Sequence, residues 1–128
     1  MSKITVIGIK TFYIKSGQGK DTIILLHGWG QTHAFWKDAI EKLSMDYCVV
    51  SLDLPGFGES QEPTENWKLE DYAKFVYMFT IKLKISHPII IGHSFGGRIA
   101  LMYSSLHFPI KKLVLYSSGG LPYMSLVG

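Results

Sequence analysis

The chain has 128 residues, 47% of them hydrophobic and 13% aromatic, which excludes a disordered protein and suits one globular domain with a buried core. The net charge is only +3 and the lysines are scattered, so we expect no nucleic-acid partner. No apolar run approaches the ~20 residues of a membrane span, and residues 1–6 do not resemble a signal peptide. With Cys48 as the single cysteine, we expect a cytoplasmic protein that does not bind membranes.

The first part of the chain predicts strands and one helix. Two β-rich runs, residues 4–7 and 11–14, predict an opening antiparallel hairpin. Thr22–Leu26 is continuously apolar, which is typical of a strand buried on both faces of a parallel sheet. Thr32 is a suitable N-cap for a helix over residues 33–43, whose apolar residues share one stripe.

Strands and helices then alternate. Cys48–Leu52 predicts a strand that ends in a glycine-rich loop, and residues 69–83 show helical spacing. A strand over residues 88–91 leads into a helix over residues 95–107, and residues 112–116 predict the last strand. This order indicates an α/β fold: an antiparallel hairpin, then parallel strands with helices on both faces.

The sequence Gly-His-Ser-Phe-Gly at residues 92–96 lies between a predicted buried strand and a predicted helix. This is the G-x-S-x-G pattern of a sharp turn that exposes a nucleophilic serine. We expect Ser94 to have a strained backbone. Positions 92 and 96 are expected to require glycine because a Cβ there would collide with neighbouring atoms. The N-terminal amides of the helix would point at the negative charge that develops during reaction.

The other polar candidates are predicted to have structural roles. His93 points to the opposite face of its strand from Ser94, so we expect it to be packed and not to act as a base. His27 is predicted to hold the following loop by hydrogen bonds, and Asp53 to order the turn over residues 55–60. The remaining histidines, none of which shows zinc-site spacing, are predicted to be surface residues: His33, His87 and His107.

Three motifs in order resemble the α/β-hydrolase superfamily: His-Gly-Trp-Gly at residues 27–30, Asp-Leu-Pro-Gly-Phe-Gly-Glu-Ser at 53–60, and Gly-His-Ser-Phe-Gly-Gly at 92–97. They are most similar to its carboxylesterase-like branch, which contains the pimeloyl-carrier-protein methyl esterases. The resemblance implies that Ser94 is the nucleophile and forms an acyl-enzyme. It also implies that the backbone N–H groups of Trp29 and Phe95 form the oxyanion hole. The implied substrate is a small carboxylic ester or thioester, and we expect no cofactor and no metal.

The resemblance is to the N-terminal half of such an enzyme. In the family, the catalytic acid and histidine follow the serine on later loops. We therefore expect residues 1–128 to be a single core domain without the cap, the later strands, the acid or the histidine, and the chain alone to be inactive. We also expect the strand at residues 112–116 to be an open edge, through which self-association is possible. The alternative is a non-catalytic α/β-hydrolase-like binding protein or an inactive fragment.

Overall fold

The computed structural model describes residues 1–117 and 123–127. The strands are β1 (Ser2–Val6), β2 (Ile9–Ser16), β3 (Thr22–Leu26), β4 (Cys48–Leu52), β5 (Ile89–His93), β6 (Lys112–Ser117) and β7 (Tyr123–Val127). The helices are α1 (Lys37–Leu43), which follows a 3-10 turn at His33–Trp36, α2 (Leu69–Lys82) and α3 (Phe95–Ser105). All strands belong to one seven-stranded sheet with the order β1-β2-β4-β3-β5-β6-β7.

The opening hairpin is confirmed. Strands β1 and β2 pair antiparallel with Val6 opposite Ile9, so that only Ile7 and Gly8 form the connection. Both connecting residues have positive φ angles, 40° and 81°, as a two-residue type I′ turn requires.

The parallel part of the sheet is also confirmed. Strand β3 lies between β4 and β5 and pairs parallel with both, and β6 pairs parallel with β5. Because alternate residues of a strand face opposite sides, Ile24 and Leu26 join the larger core, to which α2 and α3 contribute. Ile23 and Leu25 join a smaller cluster that includes the side chains of Trp36 and α1. The sheet therefore carries helices on both faces and presents the carboxyl ends of its central strands at one edge.

The prediction that residues 112–116 form the last strand and an open edge is wrong. Strand β7 pairs antiparallel with β6, with Leu113 opposite Val127 and Ser117 opposite Tyr123. The outward N–H and C=O groups of β6 thus have a partner, and β6 cannot be the template for self-association that its position in the sequence suggested.

A helix that crosses a bilayer must be both long enough and apolar enough for the hydrocarbon core. Across residues 1–117 and 123–127, no helix meets both requirements for crossing a membrane.

Candidate active site

Ser94 lies between the end of β5 and the start of α3, at the sharp turn predicted from the sequence. Its φ and ψ angles are 53° and −114°, a conformation that non-glycine residues rarely adopt, and its side chain is exposed. The two glycines are required for the reason expected. A Cβ at Gly96 would lie 2.6 Å from the carbonyl oxygen of His27, and one at Gly92 would lie 2.6 Å from the backbone nitrogen of Gly97. The turn is therefore closed by backbone packed directly against backbone.

His27 ends β3 and holds the loop that follows it. The imidazole is fully buried; its Nδ1–H donates to the carbonyl oxygen of Gly28 (2.7 Å), and its Nε2 accepts from the Leu54 N–H (3.0 Å). One donor and one acceptor define a neutral ring with its proton on Nδ1. Burial lowers the pKa of His27 below its ordinary value of 6.5, which favours this neutral form. The predicted loop-holding role is confirmed.

The two bonds that Gly28 O accepts also set the direction of the next amide. The carbonyl of Gly28 and the N–H of Trp29 belong to one planar trans peptide, so they point in opposite directions. Gly28 O accepts from His27 Nδ1 and from the Gln31 N–H (3.1 Å). Within residues 1–117, no hydrogen bond uses the Trp29 N–H. The Phe95 N–H lies in the first turn of α3, where a helix offers no internal acceptor.

Asp53 organises the loop after β4 from a fully buried position. Its Oδ2 accepts from the Glu59 N–H (2.9 Å), and its carbonyl oxygen accepts from the Ser60 hydroxyl (2.6 Å). A Cβ on Gly58 would collide with the carboxylate. The prediction that Asp53 is a structural residue ordering this turn is confirmed.

The prediction that His33 is a surface residue is wrong. Its Nδ1–H and its backbone N–H both donate to Asp53 Oδ1, at 2.8 and 2.7 Å, and its side chain is only 24% exposed. His33 was expected to be exposed because it lies in a loop near a helix end. The buried carboxylate of Asp53, however, needs hydrogen-bond donors, and His33 supplies two of them. His87 and His107 are exposed, as predicted.

His93 is packed, as predicted. Its ring stacks on Phe35 with a centroid distance of 4.5 Å and an interplanar angle of 13°. Its Nδ1–H donates to the carbonyl oxygen of Tyr116 (3.1 Å), which ties the end of β5 to the end of β6.

Three aromatic side chains lie together beside the serine turn. The ring of Trp29 meets Phe57 at 4.9 Å and Phe95 at 5.0 Å, both edge to face. Although it makes these contacts, Trp29 remains 68% exposed. Phe57 was not predicted from the sequence. The feature that could have indicated it is an aromatic residue between two glycines, in a loop at the sheet edge. The cluster is joined to the serine turn through Phe95, the residue that follows Ser94.

Neither a base nor a metal site accompanies the serine in the part of the chain described. Within residues 1–117, no side chain hydrogen-bonds the Ser94 hydroxyl, and the rings of His27, His33 and His93 have the partners given above. The described residues also contain no group of three or more His, Cys, Asp or Glu side chains that could hold a metal ion.

The sequence profile of the alpha/beta hydrolase fold matches residues 21–126. The chain belongs to the α/β-hydrolase fold family. Among its relatives, it is 38% identical over 104 residues to the pimeloyl-[acyl-carrier protein] methyl ester esterase of Vibrio parahaemolyticus, covering 80% of this chain and 38% of that protein. It is 34% identical over 96 residues to epoxide hydrolase 4 of Mus musculus, covering 73% of this chain and 27% of that protein.

A solved structure is also similar to this chain. The crystal structure of a membrane phospholipase A, described as a bacterial virulence factor, matches with a TM-score of 0.86 and 30% identity, over 94% of this chain and 40% of that one. The chain spans between 25% and 41% of the lengths of the curated relatives it matches. The two enzymes named above are an ester hydrolase and an epoxide hydrolase, so family membership by itself does not choose between these substrate classes.

Proposed function

We propose that this chain is the nucleophile-bearing part of a serine hydrolase that acts on small carboxylic esters or thioesters. The observation that carries the proposal is the geometry of Ser94, an exposed hydroxyl on a residue with a φ of 53° at the junction of β5 and α3. Such strain persists only where the surrounding structure imposes it, and it clusters at functional sites. The 38% identity to a methyl ester esterase supports the ester class.

In the proposed reaction, Ser94 Oγ attacks the carbonyl carbon of the substrate and its proton passes to a general base. The carbonyl oxygen becomes an oxyanion, which accepts hydrogen bonds from the backbone N–H groups of Trp29 and Phe95. Collapse of this intermediate breaks the bond to the alcohol or thiol, which leaves with a proton, and water then releases the acid from Ser94. One donor of this kind is typically worth ~10²–10³ in rate. The base comes from outside the described residues.

The aromatic cluster supports an apolar acyl group. The rings of Trp29, Phe57 and Phe95 contact one another, and Phe95 directly follows Ser94, so the cluster offers an uncharged surface next to the serine turn. Burying apolar surface against them contributes about 25 cal/mol per Å². An uncharged chain of a few carbons would therefore bind better than a charged acyl group.

A second candidate is a non-catalytic protein that binds a small apolar molecule at the same surface. The observation that favours it is the Ser94 hydroxyl, which has no hydrogen-bonded base within residues 1–117. The aromatic cluster would serve binding equally well without any reaction.

Covalent labelling separates the two candidates. A serine site without its base retains ~10³–10⁴ of rate enhancement from the oxyanion hole and binding. We therefore expect an alkyl fluorophosphonate to form a slow adduct on Ser94 of this chain, detected by intact-mass spectrometry and peptide mapping, although ester turnover is near background.

The matched control is Ser105→Ala, which removes an exposed hydroxyl at the other end of the same helix. Ser94→Ala should abolish the adduct, and Ser105→Ala should leave it unchanged. His93→Ala should also keep most of the labelling, because His93 is packed against Phe35. Labelling spread over several serines, or no adduct together with quenching of tryptophan fluorescence by an apolar ester, would favour the binding protein.

A further inference from the structure

We propose that Gln31 is a positioning residue: its side-chain oxygen occupies the N–H of Gly28, so that of these two consecutive amides the N–H of Trp29 is kept for an oxyanion. This inference rests on the proposed function of Ser94. It adds a role for a side chain that makes no contact with the reacting atoms. It also explains why the loop would offer the Trp29 N–H, and not the preceding N–H of Gly28, to an oxyanion.

Gln31 holds Gly28 from both sides. Its side-chain Oε1 accepts from the Gly28 N–H at 2.8 Å, and its backbone N–H donates to the Gly28 carbonyl oxygen at 3.1 Å. One residue thus contacts two successive peptide groups, the one before and the one after the Cα of Gly28. A planar peptide has little freedom once one of its ends is bound.

The side-chain bond has a chemical consequence beyond rigidity. Without it, the Gly28 N–H would have no protein partner and could turn toward a developing negative charge or a water molecule. With Oε1 of Gln31 in place, that N–H is satisfied, and of the two consecutive amides of Gly28 and Trp29 the second remains unused within residues 1–117. The carboxamide therefore selects which amide meets the substrate.

The space around Gly28 shows that Gln31 is closely fitted. A Cβ at Gly28 would lie 2.8 Å from Gln31 Oε1 and 3.3 Å from Cδ2 of His93. The carboxamide thus lies beside the bare Cα of Gly28, on the side where the ring of His93 approaches. His27 binds the same Gly28 carbonyl but links it to the loop after β4 through Leu54. His27 anchors the loop to the rest of the sheet edge, and Gln31 sets its internal geometry.

The test uses Gln31→Met, which keeps the length of the side chain but removes the acceptor, and Gln31→Glu, which keeps an acceptor oxygen. Gln61→Met is the matched control. Its Oε1 also accepts from a backbone N–H, that of Lys10 at 2.7 Å, in a different loop. All variants are made in the 128-residue chain.

The first readout is amide hydrogen exchange measured by NMR. We expect exchange at the Gly28 N–H to be about tenfold faster in Gln31→Met, because the amide loses its acceptor. The Trp29 amide resonance should shift as well. Gln31→Glu should preserve the Gly28 protection, and Gln61→Met should leave both amides unchanged. A role limited to filling space would be satisfied by methionine, so unchanged Gly28 exchange or an unmoved Trp29 resonance in Gln31→Met overturns the proposal.

The second readout is the rate at which an alkyl fluorophosphonate labels Ser94. Misdirecting a donor costs less than removing it, so labelling should slow about tenfold in Gln31→Met and remain unchanged in Gln61→Met. Equal labelling rates in Gln31→Met and the unsubstituted chain overturn the positioning role and leave the nucleophile standing. If the unsubstituted chain is not labelled at all, the serine hydrolase proposal fails, and the exchange and chemical-shift comparison still decides whether Gln31 sets the loop.

Discussion

The serine turn at residues 92–97 and the two loops after β3 and β4 lie at the same edge of the sheet, but they are held in opposite ways. The turn is held by close packing: glycines let backbone touch backbone, and one residue, Ser94, is strained. The loops are held by hydrogen bonds from two buried polar side chains, His27 and Asp53. The turn therefore has no room for a Cβ at Gly92 or Gly96, whereas the loops cannot lose a donor or an acceptor.

Because of this contrast, the turn and the loops should lose stability for different reasons. Strain at one residue costs of order 1–3 kcal/mol and persists only because the surrounding packing imposes it. A buried polar group that loses its partner costs about 1–3 kcal/mol, and more when it is charged. Mutations at the turn should therefore act through collision or strain relief, and mutations in the loops through unsatisfied hydrogen bonds.

The largest effect is expected for Gly96→Ala. The new methyl group would collide with the carbonyl oxygen of Leu26 and lie 2.6 Å from that of His27, both of which are backbone atoms of β3 and its end. Neither can move without separating α3 from the sheet, so we expect a loss of about 4 kcal/mol or more, measured by urea unfolding.

The neighbouring Gly97→Ala is the control for this collision. A Cβ there lies 3.3 Å from Gly92 O, which a small shift can relieve, and alanine is the better helix former by about 1 kcal/mol. We expect Gly97→Ala to remain within about 1 kcal/mol of the unsubstituted chain. Equal losses for the two alanines would mean that close packing at Gly96 does not hold the turn.

A smaller loss is expected for Asp53→Asn, which tests the hydrogen-bonded loops. The substitution keeps the shape but replaces one acceptor oxygen with an N–H₂ group, which then faces a donor, either at His33 or at the Glu59 N–H. We expect a loss of about 2–3 kcal/mol by urea unfolding. Asp46→Asn, at an exposed position, should change stability by less than about 0.5 kcal/mol. A stability for Asp53→Asn equal to that of Asp46→Asn would contradict the loop account.

The same contrast explains how far the sequence predicted the site. Close packing leaves a signature in the residue types, because Gly92 and Gly96 surround a serine between a strand and a helix, and the turn was predicted correctly. A hydrogen-bond network leaves no such signature. Asp53 was correctly predicted to be structural, but its partner His33, 20 residues away, was predicted to be on the surface. Nothing in the residue type of His33 indicates which buried group it contacts.

The fold shows the same division between local and long-range information. The parallel pairing of the later strands follows from the alternation of apolar runs with helices, and it is confirmed. The pairing of β7 with β6 was not predicted. The run Tyr123–Val127 mixes apolar and polar residues, and only the strand that it meets at the edge of the sheet determines its partner. A strand that depends on its neighbour is difficult to recognise by itself.

A pH titration separates the loops from the turn with a still smaller effect. Burial lowers the pKa of His27 below 6.5, so the unfolded chain binds more protons there than the folded chain does just below that pH. The stabilising contribution of neutral His27 is fully present above pH 6.5 and is lost as the pH falls through the lowered pKa of the folded state. We expect stability to fall as the pH drops below 6.5, and His27→Gln to flatten that fall. His107→Gln, at an exposed position, should leave the slope unchanged. An unaltered slope in His27→Gln would contradict burial as the cause.

The smallest difference in stability is expected at Ser94 itself, where a substitution to glycine should relieve strain. Ser94→Ala and Ser94→Gly both remove the hydroxyl, but only glycine adopts a φ of 53° with a ψ of −114° without steric cost. The strain that glycine relieves, of order 1–3 kcal/mol, exceeds the ~1 kcal/mol of extra chain entropy it loses on folding. Ser94→Gly should therefore be more stable than Ser94→Ala by about 1 kcal/mol in urea unfolding, and neither should be labelled at residue 94. If the alanine variant is equally stable or more stable, the backbone at Ser94 is not strained, and the strongest structural reason for placing the nucleophile there is lost.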